Sequence, residues 1–218
     1  KTYRTIRPIE GGDAVEIIDQ TQLPHDLVIL RLNTVEDAVN AIFSMKVRGA
    51  PLIGATGAYG LWLALKDDPS DVNLDSSYEK LLASRPTAVN LCWALDRVRN
   101  AVRSTNESNR AEIALSESNA IAEEDVLACQ EIGKNGLNVL RDISKQKEGE
   151  ILNVLTHCNA GWLATVDYGT ALSPVYAAHD MGIPIHVWVD ETRPRNQGSA
   201  LTAWELGKHG VAHTCLLY

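Results

Sequence analysis

A thiol, an amide and several cationic side chains stand at the ends of two short apolar runs in this 218-residue chain. The first piece is Leu155-Thr156-His157-Cys158-Asn159-Ala160-Gly161, and the second is Val189-Asp190-Glu191-Thr192-Arg193-Pro194-Arg195-Asn196-Gln197-Gly198. Each run reads as a buried strand, and in open α/β sheets ligands collect outside the carboxyl ends of such strands. A thiol beside a helix N-terminus or an arginine is favoured as thiolate. Cys158 is therefore expected to be a functional group, against the common alternative of a small buried hydrophobe. Gln197 with Gly198 offers an amide donor to a phosphate or a sugar hydroxyl. Neighbours on a strand point to opposite faces, so His157 and His186 are expected to serve as structural partners. Asp190 and Glu191 are a pair that can move protons, but the nearer expectation is that they neutralise Arg193 or Arg195. His179, His209 and His213 are expected to face solvent without clustering.

Two further pieces could grip an anion. Arg48-Gly49-Ala50-Pro51 lies between two helical patterns; glycine lets backbone approach a ligand, the following helix start presents free N–H groups, and arginine adds a bidentate fork. Ser84-Arg85-Pro86-Thr87 places a second arginine beside a helix start. Either alone is more commonly a turn with a solvated arginine. Together they point to a phosphate monoester held from several sides.

The elements that must position these groups follow from periodicity. Val15–Asp19 and Leu27–Leu30 read as short strands around a turn at Leu23-Pro24-His25. Thr34 caps a helix with Asp37 completing a capping box, and that helix should stop near Gly49. Pro51 opens the next helix, in which Gly54, Gly57 and Gly60 form a stripe that requires close approach of a neighbouring helix or a ligand. Residues 67–80 read as a polar surface loop. A third helix carries Ala88, Leu91, Leu95, Val98 and Val102 on one face, and residues 111–144 form one long helix or two, with Ile121, Val126, Cys129, Ile132, Leu137 and Leu140 inward. From 151 onward the order is strand, helix (170–181), strand (185–189), helix (200–209), strand (211–217), which implies parallel pairing with right-handed crossovers. The expected fold class is α/β. A small β plus helical domain at 1–148 precedes a Rossmann-like parallel α/β domain at 149–218, with the linker at Lys145–Glu150.

Composition narrows the partners. The chain is 45% hydrophobic and 22% charged with a net charge of −8, which argues against a nucleic-acid-coating surface. No run of 18 apolar residues offers a membrane span. Lys1-Thr2-Tyr3-Arg4-Thr5-Ile6 lacks a signal-peptide core and an initiating Met. The four cysteines show no C-x-x-C spacing, so no zinc site is signalled, and reduced thiols fit a cytoplasmic protein. Cys92, Cys129 and Cys215 are assigned to packing. Trp162, close to Cys158, is a candidate for shaping a pocket.

Taken together, Val47-Arg48-Gly49-Ala50-Pro51, Ser84-Arg85-Pro86-Thr87-Ala88-Val89-Asn90-Leu91, Thr156-His157-Cys158-Asn159-Ala160-Gly161, Val189–Arg195 with Gln197-Gly198, and Leu201–Leu206 resemble the methylthioribose-1-phosphate isomerase family through nearly the whole chain. That family also includes 5-deoxyribose-1-phosphate and ribose-1,5-bisphosphate isomerases and the regulatory subunits of the translation-initiation nucleotide-exchange factor; the cysteine motif favours the isomerase branch. The resemblance implies conversion of a cyclic aldose 1-phosphate to an open ketose 1-phosphate in methionine salvage, without cofactor or metal. Arg48, Gly49, Ala50, Arg85 and Gln197 would hold phosphate and hydroxyls, and Cys158 would act near C1 and C2. It also implies a homodimer. The family's catalytic aspartate and an Asn-Lys phosphate contact follow the third strand, whereas this chain ends at Cys215-Leu216-Leu217-Tyr218. On that reading the chain is a fragment, a truncated product or a protein completed by a partner. Its sheet should have an uncovered face and an unpaired edge, and little isomerase activity is expected of it alone. The alternative is a non-catalytic binding or regulatory module.

Overall fold

The structure, a computed structural model, describes residues 4–217. Lys1, Thr2, Tyr3 and Tyr218, on which part of the terminal readings fell, lie outside the described residues. Strands β1 (Ile6–Pro8), β2 (Val15–Ile18) and β3 (Ile29–Leu32) form an antiparallel sheet in that order. β1 was not expected, because three residues carry too little periodicity to be read. Helix α1 (Val35–Phe43) starts at Thr34 with the full capping box to Asp37. It stops at Ser44 rather than near Gly49, because Met45 takes the left-handed conformation (φ 61°). Gly49, at φ 88°, is instead the N-cap of α2 (Ala50–Asp67).

Helix α2 is the centre of the helical region. Every residue from Leu52 to Leu65 is buried, as expected of a helix apolar on all sides. The Gly54, Gly57 and Gly60 stripe has the predicted cause: a Cβ at these positions would press on Asn90, on Leu91, and on Leu81 and Ala38 respectively. Those neighbours lie on α4 (Val89–Arg103), α3 (Asp71–Ser84) and α1. Helix α3 replaces most of the loop expected at 67–80. Ser70 caps it by accepting from the Asn73 N–H at 3.2 Å, and Leu74, Tyr78 and Leu81 supply a narrow buried stripe within a polar sequence. Helix α5 (Glu107–Gln146) is a single helix of 40 residues, about 60 Å long at 1.5 Å per residue. Its Ile121 and Val126 join the core around α2, whereas Leu137 and Leu140 pack against a second core. Ile132, expected to point inward, is 41% exposed, so the buried face does not include it.

The second core lies under a parallel sheet of order β4 (Leu152–Thr156), β5 (Ile185–Asp190), β6 (Ala212–Leu216). Helices α6 (Ser173–Asp180) and α7 (Ala203–His209) make the crossovers, the latter entered through a wide helical turn at Gly198–Thr202. Val187 and Val189 of β5 are fully buried in one core with Val175, Ala178 and Leu206. The opposite face leaves Leu155 at 67% and Trp188 at 36% exposure. The carboxyl ends of β4 and β5 open onto the start of α2.

Candidate active site

Residues from both regions meet at that edge. Arg48 leaves the α1–α2 connection and crosses to the segment after β4. Its Nη1 donates to Asn159 Oδ1 at 2.7 Å, and its Nη2 donates to the Asn159 carbonyl at 3.1 Å and approaches Cys158 Sγ at 3.7 Å. Burial pulls the Arg48 pKa down from the ordinary guanidinium range; the nearby Cys158 and the Glu205 carboxylate act against that, and the positive charge of Arg85 acts with it. Arg85 is half-buried in the turn between α3 and α4. Gly49 and Ala50 stand beside Arg48 at the first turn of α2, whose N-terminus has no side-chain cap. That leaves free N–H groups at a helix start, an anion site by geometry and dipole.

Cys158 is half-buried and sits at φ 62°. A non-glycine residue in the left-handed region costs about 1 kcal/mol or more and must be held there. Thr192, itself at φ 60°, accepts from the Cys158 N–H through Oγ1 at 2.7 Å. Thr202 donates from Oγ1 to the Cys158 carbonyl at 2.7 Å. The thiol is therefore aimed by a chain that follows β4 and is clamped by the chains that follow β5.

Behind it lies Glu205, which the sequence offered only as part of the Leu201–Leu206 piece, without a role. Glu205 is completely buried on α7. Its Oε1 accepts from Tyr176 Oη at 2.5 Å and Trp162 N–H at 3.1 Å, and its Oε2 accepts from Asn159 Nδ2 at 3.0 Å and Leu163 N–H at 3.2 Å. Burial raises its pKa while these four donors oppose the rise. Beside its place in the Leu201–Leu206 piece, the signal in the sequence was an acid on the inward face of an apolar helix, four residues after Leu201.

Gln197 precedes the turn at Gly198–Thr202, half-buried, and its amide makes no hydrogen bond to Arg48 or Cys158 among the described residues. Glu191 pairs with Arg193 at 3.2 Å, as expected, and His157 Nδ1 meets Asp190 Oδ2 at 3.1 Å on the solvent side. His186 meets Thr214 Oγ1 at 2.9 Å, a structural contact. The expectation for His179 and His209 fails. Their rings are 5.9 Å apart, His209 meets Asp180 at 2.8 Å, and it stacks on Tyr176 at 4.5 Å because the ends of α6 and α7 converge. Trp162 is buried against Trp204.

A groove of about 740 Å³ lies away from the thiol, lined among others by Arg4, Lys134, Leu137, Tyr168 and Tyr176. It reaches the site only from behind, through Trp162 and Tyr176, and brings neither Arg48 nor Cys158 to its wall. The meeting of guanidinium, thiol and helix N-terminus, not the volume, marks the candidate site.

Residues 46–217 match the family model described as the initiation factor 2 subunit family. The chain belongs to that family. It is 56% identical over 216 residues to a methylthioribose-1-phosphate isomerase of Methylorubrum populi, covering 99% of this chain and 59% of that protein. It is 58% identical to the protein of the same name from Methylobacterium nodulans, covering 98% of this chain and 58% of that one. Among solved structures, 5-methylthioribose 1-phosphate isomerase from Pyrococcus horikoshii superposes with a TM-score of 0.86 at 36% identity, over 99% of this chain and 60% of that chain. The translation initiation factor eIF-2B delta subunit from A. fulgidus gives 0.85 at 39% identity, over 99% and 62%. The chain thus spans about 59% of the length of the first of the curated relatives it matches.

Proposed function

We propose that this chain carries the phosphate-gripping and thiol-bearing part of an aldose–ketose isomerase that turns 5-methylthioribose 1-phosphate into 5-methylthioribulose 1-phosphate in methionine salvage. The observation that carries the reading is the Arg48 guanidinium 3.7 Å from the Cys158 sulfur, at the sheet's carboxyl edge and beside the α2 N-terminus. A 1-phosphate bound across Arg48, Gly49, Ala50 and Arg85, with Gln197 turned toward a sugar hydroxyl, brings C1 and C2 under the thiol.

The chemistry is internally balanced. The anomeric phosphate prevents spontaneous ring opening, so the ring oxygen must take a proton as its bond to C1 breaks. The hydrogen on C2 then moves to C1, through an enediol or as a hydride. C2 becomes a carbonyl as its hydroxyl gives up a proton, matching the one taken by the ring oxygen, and C1 becomes a CH2–O–phosphate, so electrons lost at one carbon are gained at the next and no redox cofactor is needed. Cys158 would serve at C1 and C2 as proton carrier or as a stabiliser of developing charge. Exclusion of water would protect the open form. The whole protein is proposed to act as a cytoplasmic homodimer on a small sugar phosphate; the exposed Leu155 and Trp188 are apolar surface that assembly would cover.

The test is conversion of the aldose phosphate followed by NMR, using the complete gene product. Turnover abolished by Cys158→Ser supports the enzyme. A second reading, a regulatory module that binds a sugar phosphate without converting it, draws on the likeness to the A. fulgidus initiation-factor subunit. It predicts binding that Cys158→Ser leaves intact and no turnover at any stage. Phosphate bound away from Arg48 and Arg85 would sink both.

A further inference from the structure

We propose that Glu205 is a positioning residue of the Cys158 site: its buried carboxylate fixes the Asn159 amide and, through that amide, sets the Arg48 guanidinium against the thiol. The inference uses the isomerase reading only for the purpose the thiol serves; the chain of contacts is independent of it.

The donor and acceptor inventory carries the argument. All four groups on Glu205 are donors: the Tyr176 hydroxyl, the Asn159 Nδ2, and the N–H groups of Trp162 and Leu163. A carboxylate accepts on both oxygens, so it matches this set, whereas no amide of the same shape does. The Asn159 amide has two ends, and its orientation decides what Arg48 meets. With Nδ2 donating to Glu205 Oε2 at 3.0 Å and to Thr202 Oγ1 at 3.1 Å, Oδ1 must face outward, where Arg48 Nη1 donates to it at 2.7 Å. Reversed, the amide would turn an NH2 on a guanidinium, which is donor against donor. Glu205 is also the buried negative charge behind Arg48, and it favours the charged guanidinium. Gly161 belongs to the same device. A Cβ there would collide with the Glu205 carboxylate, so only glycine lets the carboxylate reach the backbone at 162 and 163.

A merely structural role would place Glu205 as a satisfied core acid with no effect on one particular thiol. The two are separated on the 218-residue chain, without substrate, by peptide-resolved alkylation with iodoacetamide. Half-buried Cys92 and Cys215 serve as internal controls. Glu205→Gln keeps the shape but puts an NH2 against a donor whichever way it turns. Alkylation at Cys158 is expected to fall about tenfold, the size of a lost hydrogen bond to a charged group, with Cys92 and Cys215 unchanged. Asn159→Asp is expected to fall further, because two carboxylates then face each other. The double variant Asn159→Asp with Glu205→Gln restores a donor–acceptor contact and should be about tenfold faster than Asn159→Asp alone, a non-additive coupling. Additive effects, a Cys158 rate unmoved by Glu205→Gln, or parallel changes at all half-buried thiols overturn the proposal. If circular dichroism shows that Glu205→Gln does not fold, Tyr176→Phe removes one donor without changing charge. A slower Cys158 with unchanged Cys92 and Cys215 then supports the proposal, and an unmoved Cys158 overturns it. Because no turnover is read, failure here leaves the isomerase reading to be judged by its own experiment.

Discussion

The two walls of the site hold unusual backbone in different ways. On the helical wall the left-handed position beside Arg48 is Gly49 at φ 88°, set at the start of a helix buried from Leu52 to Leu65, with Met45 (φ 61°) farther back in the α1–α2 connection. On the strand wall the left-handed positions are Cys158, Thr192 and Asn196, at φ 62°, 60° and 54°. Beside Arg48 the helical wall avoids strain with a glycine and is fixed by packing. The strand wall keeps its side chains, accepts the strain, and is fixed by hydrogen bonds with Thr192, Thr202 and, through Asn159, Glu205. A contact made by shape resists any added atom. A contact made by polar ties resists the loss of a single donor or acceptor.

The sharpest test of the packed wall is Gly49→Ala. A Cβ at Gly49 would collide with the Ala164 backbone and would also sit at positive φ. Overpacking and backbone strain together should cost about 3 kcal/mol or more, read as a lower urea midpoint at unchanged m-value. A loss below about 1 kcal/mol would mean that the two walls do not meet as tightly as described. Gly161→Ala comes next. Its methyl would displace the Glu205 carboxylate from two backbone N–H groups, at about 2–3 kcal/mol. Differential scanning calorimetry should show it as a drop in Tm. Loss of Tm without slower Cys158 alkylation would separate stability from thiol positioning and weaken the polar-tie account of the strand wall.

The two walls were unequally legible in the sequence. Arg48, Gly49 and Pro51 announced a helix start with an adjacent cation, and the glycine stripe announced close neighbours, because both are local rules about backbone and sterics. Cys158 was legible from its place after a strand. Glu205, Thr192 and Thr202 were not, since their contacts exist only across 34 to 46 residues of sequence to Asn159 or Cys158, and that of Glu205 depends on which way a buried amide turns. Helix α3 was hidden for a different reason. Its buried stripe of Leu74, Tyr78 and Leu81 is narrow, and the polar residues between them dominate composition. Gln197 is a different case: a residue type suited to the task stands at the right edge, and its amide makes no hydrogen bond to Arg48 or Cys158 among the described residues.

The Thr192 hydroxyl can be removed from the strand wall with Thr192→Val. The variant keeps the volume and the β-branch and removes the acceptor that meets the Cys158 N–H at 2.7 Å together with the donor to the Asp190 carbonyl at 3.2 Å. About 1–2 kcal/mol should be lost in urea titration, with faster hydrogen exchange confined to the segment after β4. Uniform exchange across α2 as well would mean that the two walls open together and that the distinction drawn between them is false.

The smallest effect belongs to the solvent face of the helical region, where Arg97 of α4 bonds Glu124 of α5 at 2.5 and 2.8 Å. The hydrogen bond from Arg97 holds the Glu124 pKa below its usual 4.5. A carboxylate with a lowered folded pKa stabilises above the unfolded value and loses that contribution as pH falls through the folded one. The stabilisation should therefore be complete above pH 4.5 and disappear in more acid solution. Glu124 is 56% exposed, so solvent screening keeps the contribution within about 0.5 kcal/mol. Urea midpoints of the wild type and Glu124→Gln should differ slightly at pH 7 and converge near pH 3. A gap that widens toward acid would mean that Glu124 is not the group titrating, and that the outer ion pairs do more for the helical wall than its packed centre allows.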